Sequence, residues 1–176
     1  VDAIRIDDTV TGAPVVISGC TVRNYTNRFV YVSLSGKIES LTIDDCIFIG
    51  ADNSTTNKAI YASSAHTQVE TLSVTNSTFL NFNTGSNYFF RINCGEELVL
   101  MPVVLIDHCT FYNCYDRRGV YLYNAGRSTI KNCISAFSER RDDTKSFTAY
   151  GDESIVKNVI SYNCLLYTSD AADDMQ

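Results

Sequence analysis

The chain has 176 residues, 45% hydrophobic and 19% charged. That composition suits one globular domain with a sizeable core and excludes a disordered chain. The net charge of −6 argues against a nucleic-acid partner or an anionic membrane surface, which require basic patches, and no apolar run reaches the ~18 residues of a bilayer span, so no membrane insertion is expected.

In chain order, the first recurring unit is Ile17-Ser-Gly-Cys20-Thr-Val22. It returns as Ile43-Asp-Asp-Cys46-Ile-Phe48, Val74-Thr-Asn-Ser77-Thr-Phe79 and Ile106-Asp-His-Cys109-Thr-Phe111. Two more follow, Ile130-Lys-Asn-Cys133-Ile-Ser135 and Val156-Lys-Asn-Val159-Ile-Ser161. Each unit reads as an aliphatic residue, two polar residues, a small residue, any residue, and then usually an apolar one. The steps between units run from 24 to 32 residues, a solenoid period. The aliphatic residue ends one short strand and the polar pair makes a tight corner. Gly19, Asp45, Asn76, Asn132 and Asn158 sit second in that pair, where left-handed backbone angles are cheap for such residues. The next strand starts with the small residue pointing inward, followed two residues on by Val22, Phe48, Phe79 or Phe111. A second corner carries Asn24, Gly50, Asn81, Asn113 and Asn163.

A further strand is expected in each repeat, at Phe29–Leu34, Lys58–Ala62, Tyr88–Ile92, Val120–Tyr123 and Phe147–Tyr150. One repeat cannot bury its own face, so the repeats must stack, with strands pairing about 4.8 Å apart. An antiparallel sandwich would need short hairpin turns such as Asn-Gly, which are absent. Helical periodicity is also absent, which excludes an α-solenoid. The expected fold is therefore all-β: a single-stranded parallel β-helix of about five to six coils.

Of seven cysteines, Cys20, Cys46, Cys109 and Cys133 share one repeat position with Ser77 and Val159. That pattern reads as a ladder of small buried thiols rather than disulfides. With no C-x-x-C string, no metal site is expected.

The string VVLIDHCTF, Val103 to Phe111, resembles the vWiDH segment of pectate lyases, with Leu105 in place of the Trp. Asp107 and His108, however, occupy the ordinary corner pair. The R-x-P-x-x-R string of those lyases is missing, since Pro14 and Pro102 are the only prolines. The N-T-D and R-I-K strings of polygalacturonase-type hydrolases are missing too. Asp7-Asp8, Asp44-Asp45 and Asp142-Asp143 read as corner or solvated pairs.

Two features suggest a binding face. Arg117 and Arg118 precede one inter-unit strand, and the run Glu139 to Lys145 precedes the next. Arg91 lies on the equivalent strand one coil earlier. Guanidinium forks match carboxylates, so Arg91, Arg117 and Arg118 are candidates to bind an acidic sugar, and Arg91, Arg117 and Lys145 are weak candidates for a catalytic base or carboxylate clamp. Alternation also turns Tyr31, Tyr61, Tyr121 and Tyr123 outward, with Phe89 expected to join them. Such a line offers ring faces to sugars or simply packs a sheet face. The expected ligand-contacting set is Tyr61, Phe89, Arg91, Arg117, Arg118, Tyr121 and Tyr123. The sequons at Asn24, Asn53 and Asn76 are read as corner residues or left unassigned.

Over most of Ile17 to Asn163, and over Tyr88 to Tyr123 especially, with NYFFRINCG, VVLIDHCTFYNC and RGVYLYN, the chain resembles right-handed β-helix modules of the pectate-lyase-like superfamily. It looks like uncharacterised modules from surface proteins of polysaccharide-degrading gut bacteria. The resemblance implies a right-handed helix, an extracellular or cell-surface setting and a polysaccharide partner. It transfers no catalytic residue. CLLYTSDAAD, Cys164 to Asp173, resembles a translated sequencing adapter. The expected division is thus a truncated β-helix domain over 1–163 and a non-native tail over 164–176. The expected function is glycan binding or scaffolding by a monomer, without an evident cofactor. The alternative is a fragment of a polysaccharide lyase, which would bring in Ca2+, or of a glycoside hydrolase.

Overall fold

The computed structural model describes residues 2–7, 12–25, 27–33, 37–50, 58–63, 68–82, 89–93, 102–114, 119–123, 126–136, 145–149, 153–162 and 165–168. Strands β1 (Ile4–Ile6), β2 (Val15–Ser18) and β3 (Thr21–Tyr25) make the first turn of a solenoid, and β4 (Arg28–Val32), β5 (Lys37–Asp44) and β6 (Ile47–Gly50) the second. The third is β7 (Lys58–Ser63), β8 (Gln68–Thr75) and β9 (Thr78–Leu80), and the fourth β10 (Phe90–Asn93), β11 (Val103–Asp107) and β12 (Thr110–Tyr112). The fifth is β13 (Val120–Tyr123), β14 (Arg127–Lys131) and β15 (Ile134–Ala136), and the sixth β16 (Lys145–Ala149), β17 (Glu153–Lys157) and β18 (Ile160–Tyr162). A last strand, β19 (Leu165–Thr168), pairs with β16.

Corresponding strands of successive turns pair in parallel, building three sheets. Sheet A runs β1-β4-β7-β10-β13-β16-β19, sheet B from β2 to β17, and sheet C from β3 to β18. No helix occurs among the described residues. This is the all-β parallel solenoid expected from the repeats, of the right-handed β-helix class.

Register explains the repeat. Ile17, Ile43, Val74, Ile106, Ile130 and Val156 stack as one inward column of sheet B. In sheet C the inward column is Val22, Phe48, Phe79, Phe111, Ser135 and Ser161. Its three phenylalanines stack with ring centres 5.1 and 5.0 Å apart. Each ring that leaves water is worth roughly 1.5–3 kcal/mol, and no single turn could bury one alone.

The corner between sheets B and C is left-handed in every turn, with φ of +63° at Gly19 and +51° to +53° at Asp45, Asn76, His108, Asn132 and Asn158. Asn24, Asn81 and Asn113 take φ of 54–59° at the second corner, as expected there. Gly50 fills that corner for a different reason: a β-carbon would collide with the Asn81 carbonyl of the next turn. Asn163 lies outside the described residues.

The thiol ladder has a function beyond filling space. The Sγ of Cys20, Cys46, Cys109 and Cys133 lies 3.0–3.4 Å from the carbonyl two residues back. Ser77 makes the same bond at 2.7 Å. The carbonyls of Asp44, Thr75, Asp107 and Lys131 also accept a backbone N–H from the preceding turn, at 3.1–3.3 Å, so the side chain adds a second donor to each and pins the corner. Cys114 repeats the device at the second corner, 3.3 Å from the Tyr112 carbonyl. All five described cysteines are free thiols; Cys94 and Cys164 lie outside the described residues.

Candidate functional site

The outer face of sheet A brings tyrosine rings and cations together. In β4, β7 and β10 the central residue is partly exposed because Val30 and Val32, Ile60 and Ala62, and Phe90 and Ile92 turn into the core on either side, whereas Tyr121 and Thr148 at the same position are covered. Parallel register then stacks Arg5, Tyr31, Tyr61, Arg91, Tyr121 and Thr148 in one column, with neighbours about 4.8 Å apart. Ring centres of Tyr31 and Tyr61 are 6.1 Å apart. The Arg28 guanidinium lies 3.5 Å over Tyr31, and Arg5 approaches the same ring at 5.5 Å. Lys58 and Arg91 approach Tyr61 at 5.4 and 5.9 Å. These are cation–π distances.

The charge balance of this face differs from that of the chain. Arg5, Arg28, Lys58 and Arg91 gather there, with Asp2 and Asp7 as the acids facing them among the described contacts. Asp2 grips Arg28 with both carboxylate oxygens, at 2.7 and 3.2 Å. Asp7 reaches Arg5 only at 4.0 Å. These cations cluster on one face of a chain whose net charge is −6.

Of the residues expected from sequence, Tyr61, Arg91, Tyr121 and Tyr123 share this face. Tyr121 and Tyr123 stack nearly parallel, 5.8 Å apart. Tyr121 is only 6% exposed, so its ring is covered rather than open. Phe89 corrects the expectation. It points into the core at 1% exposure, stacked 5.8 Å from Phe82. Phe89 lies in the bend just before β10, which begins at Phe90. Phe29, Ala59 and Ser146 hold the same place in their own turns, inside β4, β7 and β16, and are buried likewise, so strict alternation fails where these turns enter sheet A. Arg117 and Arg118 lie outside the described residues, as does the side chain of Lys145.

Sequence reasoning did not single out Arg5, Arg28 or Lys58. The signal was present: Ile4-Arg5-Ile6 alternates in step with Val30-Tyr31-Val32, one turn earlier.

The Asp-His string sits elsewhere, at the corner between sheets B and C. Asp107 accepts from Asn132 Nδ2 at 2.9 Å and lies 3.1 Å from Lys131 Nζ and 2.7 Å from His108 Nδ1. Partial desolvation pushes its carboxyl up, but the hydrogen bonds from Asn132 and Lys131 and the nearby positive charge prevail and hold it below the ordinary value. Asp44, one corner earlier, is held low by Thr75 at 2.6 Å and Asn76 at 2.9 Å. Both carboxylates are thus bound into the corner. Among the described residues no group of three or more His, Cys, Asp or Glu could hold a metal ion.

A family model described as a domain of unknown function (DUF4957) matches residues 5–82, which span the first three turns. No curated protein matches the chain, and no solved structure does.

Proposed function

We propose that the chain is an extracellular or cell-surface β-helix module, akin to the pectate-lyase-like superfamily, that binds polysaccharide along the outer face of sheet A. The observation that carries this reading is the column Arg5, Tyr31, Tyr61 and Arg91, flanked by Arg28 and Lys58. Tyrosine rings offer apolar faces and polar tips to sugar rings. Guanidinium forks suit carboxylates, so an acidic polysaccharide fits this face better than a neutral one. The module acts as a monomer and without a cofactor on this reading. Steering by the clustered cations would make binding weaken as salt screens it.

A polysaccharide lyase is the second reading. Arg91, central in the column, is the described side chain that would serve as base or carboxylate clamp. The calcium such a lyase would use finds no cluster of three acidic, His or Cys ligands among the described residues. No step is therefore assigned to it.

Affinity electrophoresis through gels cast with polygalacturonate or a neutral glucan tests the proposal. Retardation by the acidic polymer, relieved by salt and lost in Tyr61→Ala with Arg91→Ala, is expected. Equal mobility in all gels would overturn it. A rise in ultraviolet absorbance from an unsaturated uronate would instead establish elimination chemistry.

A further inference from the structure

The corner ladder reads Cys20, Cys46, Ser77, Cys109, Cys133 and Val159 from turn to turn. Among the described turns, its four cysteines thus fall into two adjacent pairs. Ser77 separates the two pairs and Val159 ends the second. In the first pair, backbone bonds on both sides hold one turn over the other: Gly19 N–H donates to Asp44 O at 3.1 Å, and Ile47 N–H donates to Cys20 O at 2.8 Å. Adjacent turns lie about 4.8 Å apart, inside the Cα range of about 4.4–6.8 Å that a disulfide spans.

The two pairs differ in access. Cys109 and Cys133 are each 1% exposed and Cys46 is as deeply buried, whereas Cys20 is only partly covered. Burial pushes the Cys46 thiol up, away from the reactive thiolate. Attack on an incoming disulfide thus falls to Cys20, and Cys46 waits beside it.

We propose that Cys20 and Cys46 form a redox-active dithiol that closes reversibly by exchange with a small disulfide such as oxidised glutathione. The Cys20 thiolate attacks one glutathione sulfur, forms a mixed disulfide and releases one glutathione thiolate. The released glutathione thiolate takes the proton of Cys46, whose sulfur attacks the Cys20 sulfur and expels the second glutathione as a thiolate. That thiolate takes back from solvent the proton that Cys20 gave up at the start. Two protein thiols are oxidised, and one glutathione disulfide is reduced to two thiols. Side chains stacked in register do not converge as a relaxed disulfide requires, so the bond carries strain and reopens readily. This inference is independent of the glycan reading.

The test equilibrates the whole chain with reduced and oxidised glutathione and maps cysteine peptides by mass spectrometry. A Cys20–Cys46 link, with Cys109 and Cys133 still reduced, is expected. Cys46→Ser should trap glutathione on Cys20, and Cys20→Ser should leave Cys46 reduced. Ser77 already fills this ladder position, so both variants keep the corner hydrogen bond and the fold. A link from Cys20 to any other cysteine, a stable mixed disulfide in the unaltered protein, or no oxidation at Cys20 would each overturn the proposal.

Discussion

The guanidinium of Arg28 lies 3.5 Å above the ring of Tyr31 while its Nε meets Asp2 Oδ1 at 2.7 Å. One cation thereby ties the start of the first turn to the outer face of the second. Its fork also holds Asp2, which Asn27 supports at 3.2 Å. Replacing Arg28 by Ala should cost about 1–3 kcal/mol in urea denaturation. Arg28→Lys should recover little, because an ammonium cannot grip both carboxylate oxygens and stack at once.

The corners make a second prediction. Asn132 combines a φ of +53° with a hydrogen bond to Asp107. Asn132→Ala loses both and should cost about 1–3 kcal/mol. Asn132→Gly keeps the backbone angle and should cost less. His108 holds φ +52°, a conformation that asparagine and glycine adopt more easily. Chemical denaturation of His108→Gly should show little loss.

Asp44 makes stability depend on acid. Its folded carboxyl is held below its ordinary value of 3.8 by Thr75 and Asn76. The ionised group therefore stabilises the fold above that value, and the contribution is lost as pH falls through the folded pKa. Thermal melts of Asp44→Asn and the unaltered protein should differ near neutrality and converge in acid below 3.8.

Gly50 is fixed by space. The carbonyl that a β-carbon would strike belongs to Asn81 in the backbone of the adjacent turn, and it cannot swing away. Gly50→Ala should destabilise by about 1–3 kcal/mol, with the loss read as a lower melting temperature. Gly19, whose added β-carbon would meet nothing, should lose less on substitution by Asn.

Thiol labelling offers a fifth check. Burial pushes Cys114 up to about 12, while the hydrogen bond with Cys133 and burial hold Cys109 far above the usual thiol range. Both should react with a thiol reagent only on unfolding. Rapid labelling of Cys109 in the native protein would remove the buried ladder.

The architecture was legible because each turn repeats the same steric demands. Asn76, Asn132 and Asn158 declare left-handed corners, and Phe48, Phe79 and Phe111 recur where a column of the core must stack. Phe89 was misplaced because period-two alternation fails where turns enter sheet A, and two successive residues are buried there even inside a strand. Phe29 before Val30 carried the same message. The corner hydrogen bonds were not visible either. Cysteine at that position looks like filler until its Sγ is seen 3.0 Å from the Lys131 carbonyl. Part of the candidate face was read from tyrosine alternation. Arg28 and Lys58 escaped because they reach the rings from positions outside the stacked column.

The core changes character along its length. The phenylalanine column of turns two to four gives way to Ser135 and Ser161, and Leu72 and Val104 are followed by Ser128 and Ser154. The buried hydroxyls of Ser128 and Ser154 meet no hydrogen-bond partner, while those of Ser146 and Ser161 meet each other at 3.0 Å. In a stack where each turn is held by its neighbours, such a gradient makes the solenoid behave like a zip that is firm through turns two to four and slack through turns five and six. Mechanical load or heat would open it first through the serine-lined turns, leaving the aromatic spine to come apart last.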